Sequence, residues 1–278
     1  MKVIFLGTGS GAGLPGLFCR CDICRKARDL GGKNIRSRSS LQIDRDVQIG
    51  FTPDAFHQVQ ANGHSFADVH YLLLTHNHYD HLTPEALRYR RPPYAYGMEP
   101  LVIFGTERVL DAIRKKVRDP AELGYELVPW KAGEGHQLDR MEVIPIEVEH
   151  DHRQPCYALA IIRDNRRLLY ALDIGAVDDD FLKRLPGDMK FDMVVLDCAL
   201  GLADHKDGSA HLNLDKAIDA RRKLELTERL TRRASVYLAH ITHHMTLMHQ
   251  EIELEIRERN EDLLVTYDGL VVDLNKDD

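Results

Sequence analysis

Thr75-His76-Asn77-His78-Tyr79-Asp80-His81 follows directly on the short apolar run Tyr71-Leu72-Leu73-Leu74. The run reads as a buried strand, so three histidines and one aspartate leave the end of a rigid element within six positions. Imidazole and carboxylate together suit zinc, manganese or iron. His76 and His78 are two apart and project to one side of an extended chain, while Asp80 and His81 turn toward a neighbouring point. Such an arrangement supplies two adjacent metal positions. A plain surface run of histidines would lack both the strand before it and the interleaved aspartate.

The heptapeptide resembles the His-x-His-x-Asp-His signature of the metallo-β-lactamase superfamily, and the resemblance implies further ligands in a fixed order. A lone histidine after a later strand is met by Ile144-Pro145-Ile146-Glu147-Val148-Glu149-His150, with His152 competing two residues on. His150 is preferred because it ends the strand-like run directly and lies seven before Tyr157. An aspartate bridging both metals is met by Asp173 at the end of Leu168-Leu169-Tyr170-Ala171-Leu172, and the last histidine by His240 after Ser235-Val236-Tyr237-Leu238-Ala239. By resemblance His76, His78, His150 and Asp173 hold one metal, and Asp80, His81, Asp173 and His240 the other. The fold implied is a single-domain α/β chain over residues 1–278, an αββα sandwich.

Cys19-x-Cys21-x-x-Cys24 follows the glycine-rich opening Gly7-Thr8-Gly9-Ser10-Gly11-Ala12-Gly13. Three thiolates this close suit a tetrahedral zinc but lack a fourth ligand nearby. His243, three residues past His240, is the candidate to complete the set. This combination looks like the PhnP-type phosphodiesterases of the carbon–phosphorus lyase pathway, in which it holds a structural zinc. A closed Cys₃His set leaves no open position for substrate, so that metal holds structure. Disulfides are disfavoured by an odd count of five cysteines and by an opening, Met1-Lys2-Val3-Ile4-Phe5, without signal-peptide character. Cys156 and Cys198 read as small buried hydrophobes. The glycines at 7, 9 and 11 have the wrong spacing for a dinucleotide loop, and Pro15 and the cysteines follow where a helix is needed. A tight loop beside the metal site is the better reading.

A chain of 278 residues with 44% hydrophobic content buries a substantial core. No apolar stretch approaches the roughly 18 residues that span a bilayer, and the net charge of −7 gives no overall attraction to nucleic acid. The expectation is a cytoplasmic enzyme acting on a small phosphodiester, with a homodimer allowed. Strands are expected at 2–6, 41–49, 71–74, 101–104, 141–148, 157–162, 167–172, 193–197 and 235–239. Helices are expected at 21–29, 55–62, 107–117, 179–185, 213–224 and 245–259, the last with Met245, Met248, Ile252 and Ile256 on one face.

Two adjacent divalent metals, manganese or zinc, bridge a water and lower its pKa toward neutrality for attack on phosphorus. Asp80 belongs to that catalytic centre. His211, in Ala210-His211-Leu212-Asn213-Leu214, sits where PhnP-like enzymes carry a histidine that protonates the leaving group; capping of the following helix is its other reading. Arg88, in Arg88-Tyr89-Arg90-Arg91-Pro92-Pro93-Tyr94, is the expected substrate-binding guanidinium, against the alternative of a solvated surface run. The resemblance also expects an aspartate before Pro53-Asp54, where this chain has Gly50-Phe51. Ribonuclease Z-like RNA processing, a PqqB-like role in quinone-cofactor biosynthesis and a non-catalytic metal- or ligand-binding module are the competing functions. Of the remaining histidines, His205 and His244 are the candidates to line the pocket.

Overall fold

A computed structural model describes residues 1–276 except 118, 205, 207 and 208. The first half of the chain lays down β1 (Lys2–Gly7), β2 (Ser40–Ile43), β3 (Val47–Ile49), β4 (Tyr71–Leu73), β5 (Leu101–Gly105) and β6 (Tyr125–Pro129) in spatial order. The second half forms a second sheet from β7 (His136–Leu138), β8 (Met141–Val148), β9 (Cys156–Arg163), β10 (Arg166–Ala171), β11 (Phe191–Asp197), β12 (Leu230–Ala239) and β13 (Leu264–Val265). The chain then returns to the first sheet, where β14 (Val271–Asp273) pairs with β1. Among the described residues each sheet has seven strands.

Alternation along these strands sends one set of side chains between the sheets and the other outward. Val3, Phe5, Leu41 and Ile43 of the first sheet meet Leu159, Ile161, Tyr170, Met193 and Val195 of the second. Full burial of each such side chain contributes about 1.5–3 kcal/mol over exposure. Helix α1 (Asp22–Leu30) packs on Leu14 and Met248. The outer faces are covered by helices α2 (Ala55–Asn62), α3 (Pro84–Leu87) and α4 (Glu107–Lys116) in the first half, and α5 (Asp179–Arg184), α6 (Leu214–Leu226) and α7 (His249–Glu258) in the second. Val109, Leu110 and Ile113 of α4 pack on Leu72 and Ile103, while Leu214, Ala217, Ile218 and Leu224 of α6 join Ile252 and Ile256 of α7 over the second sheet. The layers are therefore αββα, as the motif order implies.

Strand direction fixes where the site forms. β10, β11 and β12 run parallel, and β8 points the same way because β9 is antiparallel to both β8 and β10. In the first sheet β3, β4, β5 and β6 are parallel. Carboxyl ends of parallel strands are where open α/β sheets place their ligands, and residues 76–81, 150, 173 and 240 all leave such ends.

Three local expectations need correction. The run expected as one strand at 41–49 is a hairpin, broken where Asp44 takes φ +50°. The last helix begins at His249, not 245: His243–Met245 form a separate 3-10 turn, Thr246 sits at φ +57°, and the Glu251 carboxylate accepts the Met248 N–H to start α7. β6, β7, β13, β14 and the single-turn α3 fall outside the expected strands and helices; β13 has only two residues and β7 is largely polar.

His249 supplies a pH handle. Arg36, only 2% exposed, donates to Thr8 Oγ1 at 2.9 Å and lies 3.1 Å from His249 Nδ1. A guanidinium only donates, so Nδ1 accepts and the ring proton resides on Nε2, 3.1 Å from Glu253 Oε1. Burial, reinforced by Arg36, depresses the His249 pKa to about 4. The unfolded chain therefore binds the proton first as pH falls below about 6.5, and stability is lost between there and about 4. Urea unfolding across that range is expected to show a shallower pH dependence in His249→Gln than in the parent protein.

Candidate metal centre

Four strand ends deliver the ligand side chains to one region. His76, His78 and His150 place one nitrogen each within 4.8 Å of one another, and so do the ligand atoms of Asp80, His81 and His240. Asp173 lies between the two trios: Oδ1 is 3.4 Å from both His150 Nε2 and His240 Nε2, and Oδ2 is 2.9 Å from His81 Nε2. His150, and not the exposed His152, joins the cluster. Asp173 and His240 both hold left-handed backbone, at φ +55° and +63°. Strain of that kind costs about 1–3 kcal/mol and concentrates at functional sites.

Four of these histidines spend one nitrogen on the protein. Thr75 Oγ1 lies 3.0 Å from His76 Nδ1, the Asp151 carboxylate 3.0 Å from His78 Nε2, and Ala210 O accepts from His150 Nδ1 at 3.0 Å. Ser39 Oγ donates to Gly9 O at 2.9 Å and so accepts from His240 Nδ1 at 3.0 Å. The other ring nitrogens face inward. Among the described residues His76 Nε2, His81 Nε2 and Asp173 Oδ2 are buried with no well-formed hydrogen bond, the last two meeting only as an ion pair at 2.9 Å, although native structures rarely leave such atoms unmet. Orphaned lone pairs aimed at a common point fit divalent cations, which the fold also implies.

The charge states of four ligands agree; burial would lower His81, but Asp173 and Asp80 raise it well above its ordinary pKa, so binding a cation there displaces a proton. Burial, aided by His81, lowers His76 well below its ordinary pKa, and burial outweighs Asp173 to lower His240. Burial opposes ionisation of Asp80 and Asp173, but the surrounding histidines outweigh it and hold both carboxyls below the usual range.

Beside the trios, His211 Nδ1 donates to Asp197 Oδ2 at 2.8 Å, and its ring stacks on His240 with centroids 5.4 Å apart. Asp197 is fully buried and also accepts from the N–H groups of Asp173, Ala199 and Leu212. Burial would lower the His211 pKa, but Asp197 and Asp173 push it up to about 9. Asp197 carries no signal of its own in the sequence beyond ending a strand, and neither do Ser39 or Asp151. Arg88 is exposed, and its guanidinium donates to Tyr89 Oη at 2.9 Å. His244 is exposed against His243, and His205 lies outside the described residues. At Gly50, where the resemblance expects an aspartate, the chain turns through φ +79°.

The glycine-rich opening is a wall of this site. An added Cβ at Gly11 would lie 3.3 Å from the Asp80 carboxylate, so a side chain there would crowd that ligand. The same loop leads into Cys19, Cys21 and Cys24, whose sulfurs and a His243 nitrogen lie within 4.8 Å of one another. Gly16 N–H donates to Cys24 Sγ at 3.3 Å and Cys24 N–H approaches Cys21 Sγ at 3.5 Å, as suits thiolates. Burial pushes the Cys24 thiol up to about 11, so ligation there displaces a proton. This donor set fits one tetrahedral zinc. Cys21→Ser is expected to lose about one equivalent of tightly held zinc and to unfold at lower temperature, since binding energy here is folding energy. Unchanged zinc on elemental analysis would remove the knot.

Among the described residues no helix is long and apolar enough to cross a membrane. In fold, the chain is similar to a diphosphatase from the PhnP family, with TM-score 0.74 and 23% identity over 98% of this chain and 97% of that one. Zinc-bound PqqB from Methylobacterium extorquens also gives TM-score 0.74, at 19% identity over 99% and 100% of the two chains. By sequence it is 27% identical over 270 residues to an octanoyltransferase of Porphyromonas gingivalis, covering 91% of this chain and 48% of that protein. The chain spans about half the length of the curated relatives it matches. The family model described as the beta-lactamase superfamily domain matches residues 46–241, a span that holds both trios and Asp173 but not the cysteine knot, and on that match the chain belongs to the β-lactamase superfamily, in its metallo branch.

Proposed function

We propose that the protein is a metal-dependent phosphodiesterase that hydrolyses a small cyclic or nucleotide-like phosphodiester. The observation that carries the reading is the pair of ligand trios sharing Asp173, with His211 held beside them by Asp197. Divalent cations held there supply an activated water and charge stabilisation for in-line displacement at phosphorus. The chain's own residues do the rest. Asp173 and the histidines fix the reacting geometry from rigid strand ends. His211 is positioned as a proton donor: Asp197 holds Nδ1–H and orients the ring, and the raised pKa keeps the imidazole protonated near neutral pH. A protonated Nε2 can then deliver its proton to the departing oxygen. Cys19, Cys21, Cys24 and His243 brace the loop that walls the site. The PhnP-family diphosphatase that is similar in fold is named for hydrolysis at phosphorus, the coarser part of this reading.

The test is a panel of cyclic, dinucleotide and alkyl phosphodiesters against protein loaded in turn with manganese and zinc. Turnover of at least one diester, abolished by chelation and restored by metal, is the expected result. No turnover of any diester with a fully loaded site would overturn the reading.

A further inference from the structure

Tyr79 stands between His78 and Asp80, yet its side chain is 63% exposed. A large ring left in water between two inward-facing ligands is not there for the core. Its surroundings show that it is held. The Arg38 guanidinium lies over the ring, 5.4 Å from the centroid. Arg38 is itself fixed: Nη1 donates to Asp54 Oδ1 and Oδ2 at 2.8 and 3.0 Å, and Nε donates to Gly11 O at 3.1 Å. Gly11 in turn abuts the Asp80 carboxylate. One face of the ring is thus backed by a locked cation, and the side chain's exposure leaves the other open. Because Tyr79 shares its backbone with two ligands, the ring has a fixed position relative to the metal centre.

We infer that Tyr79, backed by Arg38, is a specificity platform, on whose open face a nucleobase of the substrate stacks so that its phosphodiester reaches the ligand trios. This rests on the phosphodiesterase reading and narrows its substrate class to nucleotides. The chemistry is general: every base has a π face, aromatic side chains at nucleotide sites gain by stacking on it, and a cation behind the ring strengthens the arrangement. The exposed Arg88 and Tyr89 pair has no comparable link to the ligands, being joined to each other.

The experiment measures equilibrium binding of AMP and of ribose 5-phosphate to metal-loaded protein by titration calorimetry. Their affinity ratio isolates the base, because both carry the same phosphate and sugar. The parent protein is expected to prefer AMP by about 10-fold or more. Tyr79→Ala and Tyr79→Leu should bring the ratio close to one, the second keeping apolar bulk without a π face. Tyr79→Phe and Tyr79→Trp should keep the preference. Metal content is measured for each variant, and only those retaining both catalytic metals are compared. No preference in the parent protein overturns the platform, as does a preference that survives in Tyr79→Leu or is lost in Tyr79→Phe. If the ratios behave as expected but no diester is cleaved, the platform stands and the phosphodiesterase reading falls.

Discussion

Asp173→Ala is expected to lose hydrolytic activity and to empty both catalytic metal positions together. Its two oxygens divide between the trios, with Oδ1 3.4 Å from His150 and His240 and Oδ2 2.9 Å from His81. Removing the carboxylate takes a ligand from each cation and also an anion from a cluster whose other ligand carboxylate is Asp80. Loss of a residue that merely hydrogen-bonds a ligand costs about 10–100-fold in metal affinity, so loss of a shared ligand should exceed that. Elemental analysis after dialysis, with activity on the best diester, checks both halves. A variant that kept two metals and near-normal turnover would show that Asp173 does not bridge. Asp173→Asn separates charge from shape: it retains one oxygen ligand and should hold metal better than alanine while remaining below the parent.

His211→Ala is expected to fold, keep its metals and lose activity chiefly on substrates with poor leaving groups. A departing ribose alkoxide needs a proton, whereas a nitrophenolate leaves without one. General acid catalysis contributes about 10²–10⁴-fold, and the deficit on alkyl diesters should be of that size with nitrophenyl esters nearly spared. Equal deficits on both would indicate positioning, and metal loss would make His211 a ligand. Asp197→Asn should show the same selectivity in weaker form, because it leaves His211 in place but removes the carboxylate that holds its proton.

The dense part of the site was legible because adjacent residues carry it: four potential ligands within six positions after a strand point to metal far more than to a solvated surface. Single ligands such as His150, Asp173 and His240 became legible only through their order and their places at strand ends. What supports them was not. Ser39 reaches His240 across 201 positions and Asp151 reaches His78 across 73; serine and aspartate at such separations give no local pattern. Arg88 and Arg38 show how sequence distance and spatial position part. Arg88 is near the motif in sequence but ends a one-turn helix that carries it into solvent, whereas Arg38, far upstream, is returned to the motif beside β2. The hairpin at 40–49 shows the same limit on a smaller scale: apolar alternation marks both strands, and only the left-handed Asp44 separates them.

The way each imidazole divides its two nitrogens has a spectroscopic consequence. His76, His150 and His240 give Nδ1 to the protein and turn Nε2 inward, where His81 Nε2 also points. His78 does the reverse, with Nε2 on Asp151 and Nδ1 3.2 Å from His150 Nε2, and His243 presents Nδ1 to Cys24 Sγ at 3.5 Å. In a two-bond ¹H–¹⁵N correlation spectrum of the zinc-loaded protein, four rings should therefore show the τ-coordinated pattern and two the π-coordinated one. The knot's ring and that of His78 would be told apart by substituting Cys21, which should shift only the former.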